Sequence, residues 1–316
     1  MAAKHKANEL HLSRVYDAPV AAVWEAWTDP EQVAKWWGPR GFTLTTHGKD
    51  LRPGGHWTYT MHGPDGTDYE NSTLYHEVVP RKKLVYDHGG NADRPPLFRV
   101  TVHFDEVDGQ THMDMTMTLP TPEAAAEISK FIKQAGGNAT WDRLAEYVEE
   151  QQTGKHTFVI NRTFDAPRAV LFDMWTKPEH FARWLYPPGF EVKFHRADVR
   201  PGGIAFYSIW NDSGLKIYGR YEYQEINPPE RLVYALQSCD LDGNITRHPL
   251  APTWPETLLI TVELNEEGPD RTRVTLTWEP YGATTSEEVA AFVKDRGGMT
   301  KGWTGSFDKL EALLAS

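Results

Sequence analysis

The stretch Leu51-Arg52-Pro53-Gly54-Gly55 occurs a second time in the chain, as Val199-Arg200-Pro201-Gly202-Gly203, at an offset of 148 residues. The same offset carries three further motifs onto close copies, namely Tyr16-Asp17-Ala18-Pro19 onto Phe164-Asp165-Ala166-Pro167, Gly41-Phe42 onto Gly189-Phe190, and Leu84-Val85-Tyr86 onto Leu232-Val233-Tyr234. Motifs that recur in the same order indicate one domain duplicated in tandem, and 316 residues suffice for two domains of ordinary size. We predict a first domain over residues 8–151 and a second over residues 155–316.

Composition limits the classes of function. Apolar residues make up 40% and charged residues 24% of the chain, as in globular proteins, and no apolar run approaches the length of a membrane span. No signal peptide is visible, so we expect a cytoplasmic location and no membrane insertion. The net charge of −11 disfavours nucleic acid as a partner, and the single cysteine, Cys239, cannot form an intramolecular disulfide.

The order of local patterns is the same in both repeats. A short strand (11–16 and 157–164) precedes two short helices, and Asp17 is expected to cap the first of these with Pro19 just inside it. Strands separated by turn residues follow, and because no helical pattern intervenes they should pair as an antiparallel meander. Each repeat ends in a long amphipathic helix, residues 122–150 and 286–314, with either a kink or a close approach to the sheet expected at the glycine pairs Gly136-Gly137 and Gly297-Gly298.

Comparison of the repeats identifies the inward face of the sheet. Alternate residues that are apolar in both copies belong to one face, because side chains along a strand point to opposite sides in turn. On this basis the inward residues are Phe98, Val100, Val102 and Phe104, matching Leu258, Ile260, Val262 and Leu264, and Met113, Met115 and Met117, matching Val274, Leu276 and Trp278.

The whole pattern resembles the SRPBCC or START-like superfamily, and within it the branch named for the activator of heat-shock protein 90 ATPase. The motifs that carry the resemblance are Asp17-Ala18-Pro19, Trp27-Thr28-Asp29-Pro30, the run from Trp36 to Phe42, the Arg-Pro-Gly-Gly turn, Pro64-Asp65-Gly66, Leu84-Val85-Tyr86, and Gly302-Trp303 followed by Phe307 and Leu310. The resemblance implies an α+β architecture of two helix-grip (START-like, Bet v-like) domains. In each, a curved antiparallel sheet wraps a long C-terminal helix and leaves a cavity between them.

The resemblance also implies a function class, since members of the superfamily bind lipids, polyketides and hormones. We therefore expect the chain to bind small hydrophobic or aromatic molecules without a cofactor or metal. The residues expected to line the two cavities are Trp57, Tyr59, Tyr75, Tyr86, His88, Val100, Met115 and Phe131 in the first domain, and Tyr207, Tyr223, Tyr234, Leu236, Ile260, Leu276, Phe292 and Trp303 in the second. The recurring tyrosines either only fill the core or also direct hydroxyls into the cavity.

The two repeats differ at positions that should alter their cavities. The first has Trp57 where the second has Ala205, His88 where the second has Leu236, and Gly137 where alignment puts Trp303. The segment 237–257 is longer in the second repeat by 12 residues, and its part 240–255, which contains Trp254, is a candidate lid or interdomain plug.

Three functions remain open at this stage. The first is ligand binding. The second is a cofactor-free enzyme, of cyclase, dehydratase or hydrolase type, in which His88 acts as acid or base with a nearby tyrosine, although the same histidine could simply reach solvent at a strand end. The third is regulation of a chaperone ATPase, by resemblance to the activator.

Overall fold

The computed structural model describes residues 6–90, 94–134, 139–153, 156–186 and 188–315, without the side chains of residues 131–134 and 152–153. The chain divides into two compact units, Met1–Gln152 and Thr153–Ser316, here called the first and second domains. Within the described ranges, none of the helices combines the length and hydropathy needed to span a bilayer.

The first domain is one seven-stranded antiparallel sheet with helices on its concave side. Its elements in chain order are β1 (Glu9–Tyr16), α1 (Val20–Thr28), α2 (Pro30–Trp36), β2 (Thr43–Lys49), β3 (His56–His62), β4 (Asp68–Val79), β5 (Lys83–Gly90), β6 (Phe98–Val107), β7 (Gln110–Thr118), α3 (Pro122–Gln134) and α4 (Ala139–Thr153). The strand order is β1-β7-β6-β5-β4-β3-β2. This is a meander whose first strand returns to pair with its last.

The second domain repeats the arrangement. Its elements are β8 (Phe158–Phe164), α5 (Arg168–Thr176), α6 (Pro178–Trp184), β9 (Phe190–Ala197), β10 (Ile204–Asn211), β11 (Lys216–Asn227), β12 (Arg231–Cys239), β13 (Thr257–Gly268), β14 (Arg271–Pro280), α7 (Ser286–Lys294) and α8 (Arg296–Leu314). The strand order is β8-β14-β13-β12-β11-β10-β9. Each domain is therefore a helix-grip fold, as the sequence predicts.

The repeated Arg-Pro-Gly-Gly motif is the turn that joins the second and third strands of each sheet. The Gly54 amide donates a hydrogen bond to the Tyr75 carbonyl oxygen at 2.7 Å, with Gly54 in the left-handed region at φ +80°. A Cβ on Gly55 would lie 2.1 Å from the Asp50 carbonyl oxygen, so only glycine fits there. The second copy repeats both features at Gly202-Gly203, which explains why the motif has this composition in each repeat.

The predicted inward face of the sheet is confirmed. Val100, Val102, Phe104, Met113 and Met115 are at most 2% exposed, and so are their counterparts in the second domain, Leu258, Ile260, Val262, Leu264, Val274 and Leu276. These side chains form the floor on which the C-terminal helices lie.

Two predictions about the helices need correction. Pro19, not Asp17, is the N-cap of α1, and the Asp17 carboxylate instead accepts a hydrogen bond from Gln110 at 3.0 Å. The terminal helix of the second domain is divided at Asp295, before rather than at Gly297-Gly298, both of which lie inside α8. Gly136-Gly137 lies outside the described residues.

The alignment of Gly137 with Trp303 is also wrong. Trp141 of α4 stacks on Trp27 with ring centroids 5.3 Å apart, and Trp303 of α8 stacks in the same way on Trp175 at 5.8 Å. Trp27 and Trp175 are equivalent positions of the two repeats. Trp141 is therefore the counterpart of Trp303, and the misalignment arose because the two terminal helices differ in length before the tryptophan.

Candidate functional site

Two adjoining chambers lie in the second domain between the sheet and α8. The inner chamber has a volume of about 150 Å³ and is lined by Leu185, Tyr186, Tyr221, Tyr234, Leu236, Ile260, Trp278, Met299, Gly302, Trp303 and Ser306. The outer chamber has a volume of about 410 Å³ and is lined by Tyr186, Phe190, Tyr207, Ile209, Leu215, Ile217, Tyr218, Gly219, Leu236, Gln237, Ser238, His248, Ala251, Trp254, Pro255, Glu256, Leu258, Trp278, Asp295 and Gly302. Four residues, Tyr186, Leu236, Trp278 and Gly302, belong to both walls.

Tyrosines of adjacent strands form one wall of the chambers. The Tyr221 ring lies between those of Tyr207 and Tyr234, with centroid distances of 4.8 and 4.7 Å. Burial raises the pKa of all three phenols well above its usual value. They remain neutral at physiological pH, so this wall is aromatic and its polar groups are uncharged hydroxyls.

Tyr186 has an unusual backbone conformation at the junction of the chambers. It has φ +73°, a value that costs a bulky residue roughly 1–3 kcal/mol. Gly38, at the equivalent position of the first domain, has φ +96°. The Tyr186 carbonyl oxygen accepts a hydrogen bond from Lys309 Nζ at 3.1 Å, and its hydroxyl lies 3.4 Å from that of Tyr207. The fold therefore keeps an aromatic side chain where glycine would be unstrained.

The insertion 240–255 covers the outer chamber. Trp254 lines that chamber and packs on Phe292 of α7, with ring centroids 5.6 Å apart. Arg247 forms an ion pair with Glu288, the residue that completes the capping box of α7 with Thr285. The hydrogen bond that the Thr285 backbone amide donates to the Glu288 carboxylate, together with the Arg247 guanidinium, holds the pKa of Glu288 below its usual value. The insertion thus lies where a lid is expected.

Two polar atoms in the chamber walls are buried without a hydrogen-bond partner among the described residues. They are the Trp278 indole Nε1, a donor, and the Gln237 Oε1, an acceptor. The amide nitrogen of Gln237 is already used, since it donates to the Thr257 hydroxyl at 3.0 Å. Buried polar atoms are normally paired, so these two are exceptions among the residues that line the chambers.

In the first domain, two buried tryptophans meet where the second domain has smaller side chains. Trp57 stands at the position of Ala205 and Trp37 at that of Leu185, and the two indole rings meet at 5.2 Å. Trp57 also stacks on Tyr59 at 4.1 Å, and Lys49 Nζ lies 4.1 Å from the Trp57 ring. Burial lowers the pKa of Lys49 to about 7, against the opposing effect of Asp29. The sequence difference at Trp57 thus adds a buried indole to the core of the first domain.

His88 points inward, between aromatic rings. It stacks on Phe98 with ring centroids 5.1 Å apart and lies 6.1 Å from Trp37. Burial lowers its pKa to about 4, so the imidazole is neutral at physiological pH. The residue keeps partial exposure at the end of its strand, while its ring packs against Phe98 and Trp37.

The structure distributes the sequence-predicted site residues among three environments. Tyr207, Tyr234, Leu236, Ile260 and Trp303 line the chambers. Tyr223, Leu276 and Phe292 are buried in the core around them, as are Trp57, Tyr59, Tyr75, Tyr86, Val100 and Met115 in the first domain. The side chain of Phe131 lies outside the described residues.

Sequence reasoning missed several lining residues, of which Tyr186 and Tyr221 are the most informative. A signal for both was present, because the offset of 148 places them opposite Gly38 and Thr73. An aromatic residue opposite a small one marks a place where the two interiors differ. Met299 and Ser306 had no such signal, since the lengths of the terminal helices obscure their counterparts.

Comparison with known proteins assigns the family. The family model described as "Activator of Hsp90 ATPase homolog 1-like protein" matches the chain twice, over residues 17–149 and 165–315. The chain belongs to this family. Each match to the Activator of Hsp90 ATPase homolog 1-like family begins directly after the first strand of its sheet and takes in the other six strands. Among curated proteins, no relative matches the sequence.

Solved structures similar to these Activator of Hsp90 ATPase homolog 1-like domains include single-domain and two-domain chains. Protein Ms6760 from Mycobacterium smegmatis is 22% identical, with 51% of this chain and 91% of that chain covered and a TM-score of 0.43. Protein NE0264 from Nitrosomonas europaea is 25% identical, with coverage of 46% and 96% and a TM-score of 0.42. The di-domain ARO/CYC BexL from the BE-7585A biosynthetic pathway is 14% identical, with coverage of 96% and 97% and a TM-score of 0.40.

Proposed function

We propose that the second domain binds a small, ring-containing apolar molecule in its inner chamber. The observation that carries this proposal is the chamber itself, which is lined by Tyr234, Ile260 and Trp303 and is about 150 Å³ in volume. Apolar cavities of that size bind benzene-sized molecules. Aromatic walls favour a ring, because stacked and edge-to-face contacts contribute beyond the area they bury.

The polar groups of the walls favour an oxygen substituent on that ring. The Trp278 indole N–H is a donor without a partner among the described residues, and the buried phenols of Tyr221 and Tyr234 stay protonated. A hydroxyl or carbonyl oxygen on the ligand would accept hydrogen bonds from groups of this kind. A buried charge would meet no compensating charge in the inner wall, so we infer a neutral ligand.

The first domain contributes differently. Trp37 and Trp57, 6% and 2% exposed, stand where the second domain has the smaller Leu185 and Ala205. We infer that it is a filled structural copy and that only the second domain binds this ligand. Acid–base catalysis by His88 is less well supported, because a base with a pKa of about 4 has little tendency to take a proton at neutral pH.

Gly302 provides the test of the proposal. It lines both chambers from α8, and a Cβ there would meet no atom within 4 Å. Gly302→Leu should therefore fill the site without a backbone clash and gain helix propensity, about 0.5–1 kcal/mol. Gly297→Leu is the matched control, because Gly297 lies on the exposed surface of the same helix and has equally open surroundings.

The measurement is calorimetric titration of the intact chain with 4-bromophenol. We expect wild type and Gly297→Leu to bind equally and Gly302→Leu to bind at least tenfold more weakly while unfolding at the same or a higher temperature. Equal binding by all three proteins would place the ligand elsewhere. Failure of the wild type to bind would count against a ring-binding chamber.

A further inference from the structure

Four residues line both the inner and the outer chamber, and Tyr186 differs from the other three in how its backbone is held. Leu236 and Trp278 belong to strands β12 and β14, whose backbones are fixed by ladder pairing to β13. Gly302 has no side chain. Tyr186 lies on the connection between α6 and β9, outside both helix and sheet, so it is the wall residue with the least backbone restraint.

The backbone of Tyr186 indicates that its side chain is there for a reason other than stability. Its left-handed φ of +73° is one that glycine adopts freely, and the first domain has Gly38 at this place. Residues kept in such conformations cluster at ligand clamps and switch regions. In the first domain Trp37, the neighbour of Gly38, packs on Trp57 with ring centroids 5.2 Å apart.

We propose that Tyr186 is a gate between the chambers, and that the ligand is a two-part molecule whose ring occupies the inner chamber and whose extension passes Tyr186 into the outer one. This inference rests on the proposed function of the inner chamber. The outer chamber is the larger, about 410 against 150 Å³, and is roofed by His248, Trp254 and Pro255 of the insertion. A ligand confined to the inner chamber would contact neither that roof nor Gln237 Oε1.

The Tyr186 ring closes the passage, and its hydroxyl lies 3.4 Å from that of Tyr207. Passage of an extension requires the Tyr186 ring to leave this contact. The gate therefore sets the length of molecule that binds, and its removal should favour extended ligands over short ones.

The test compares phenol with 4-pentylphenol on the intact chain by calorimetric titration. In Tyr186→Gly the ratio of the affinities for 4-pentylphenol and phenol should rise at least tenfold over wild type. Tyr186→Phe, which keeps the ring and removes only the hydroxyl, should stay within about threefold. Glycine suits the left-handed backbone and is the residue of the first domain, so the variant should fold; Tyr186→Asn, also tolerant of this conformation, provides a second measurement.

The outcomes separate the two proposals. If phenol binds and the affinity ratio is the same in wild type and in folded Tyr186→Gly and Tyr186→Asn, the gate is overturned and the ring-binding chamber stands. If neither phenol nor 4-pentylphenol binds the wild type, the ring-binding chamber is overturned, and the gate with it. A raised ratio in both variants supports the gate and the two-part ligand.

Discussion

Trp57 stacks on Tyr59 with ring centroids 4.1 Å apart, whereas the equivalent Tyr207 lies beside Ala205, which is too small to form such a stack. A second tryptophan of the first domain, Trp37, likewise corresponds to a smaller residue of the second domain, Leu185. The first domain thus buries two indoles where the second has Leu185 and Ala205. The duplication has kept the fold and changed the packing of the interior.

Trp57→Ala should give the interior of the first domain a cavity like that of the second. Removing this buried indole should cost about 3–5 kcal/mol of unfolding free energy, measured by urea denaturation, because a large cavity remains. That cavity should take up benzene, so calorimetry should give two benzene sites per chain in the variant and one in the wild type. A variant with a single site would contradict the equivalence of the two interiors.

His88→Leu introduces the residue that the second domain has at this position, Leu236. The folded pKa of His88 is about 4, below the ordinary value of 6.5, so its neutral state stabilises the fold above pH 6.5 and that stability is lost as the pH falls toward 4. Between pH 7 and pH 4 the free energy of unfolding should therefore fall by up to about 3 kcal/mol more in the wild type than in His88→Leu. Urea denaturation at the two pH values measures this; parallel losses in both proteins would show that His88 is not responsible.

Trp254→Ala tests the roof of the outer chamber. Because Trp254 packs on Phe292 and lines that chamber, its loss should raise the dissociation rate of 4-pentylphenol about tenfold and leave that of phenol nearly unchanged. Leu250→Ala is the control from the same insertion, since Leu250 is 65% exposed. Stopped-flow dissociation provides the rates. Equal rates for 4-pentylphenol in wild type and Trp254→Ala would mean that the insertion does not retain the ligand.

In the second Arg-Pro-Gly-Gly turn, alanine substitutions at the two adjacent glycines should lower the free energy of unfolding by different amounts. A Cβ on Gly203 would lie 2.0 Å from the Asp198 carbonyl oxygen, so Gly203→Ala should force the turn to move and cost about 3 kcal/mol. At Gly202, where φ is +76° and no atom lies within 4 Å, Gly202→Ala should cost only the left-handed strain, about 1–2 kcal/mol. Urea denaturation compares the two. A reversed order would contradict the close approach to Asp198.

The fold was predictable because duplication supplies a comparison within one chain. The inward parity of Val100 with Ile260, and of Met115 with Leu276, follows from two copies that agree. The chambers were only partly predictable. Trp57 against Ala205 indicated the difference, but the wall also depends on how far α8 lies from the sheet, a packing distance that periodicity does not contain.

The terminal helices show the same limit. Trp141 and Trp303 occupy equivalent places against Trp27 and Trp175, yet sequence alignment paired Trp303 with Gly137. Helical periodicity repeats every few residues, so a shift of about one turn preserves the apolar stripe and leaves the register undetermined. Only the tertiary stack of indole on indole fixes it.

The most direct test of the account is a crystal of the intact chain soaked with 4-bromophenol, with the bromine located by its anomalous scattering. We expect one bromine peak, in the inner chamber bounded by Tyr234, Ile260 and Trp303, and none between Trp37 and Trp57 of the first domain. Bromine in both interiors, or only in the first, would contradict the claim that the second domain alone holds the ligand.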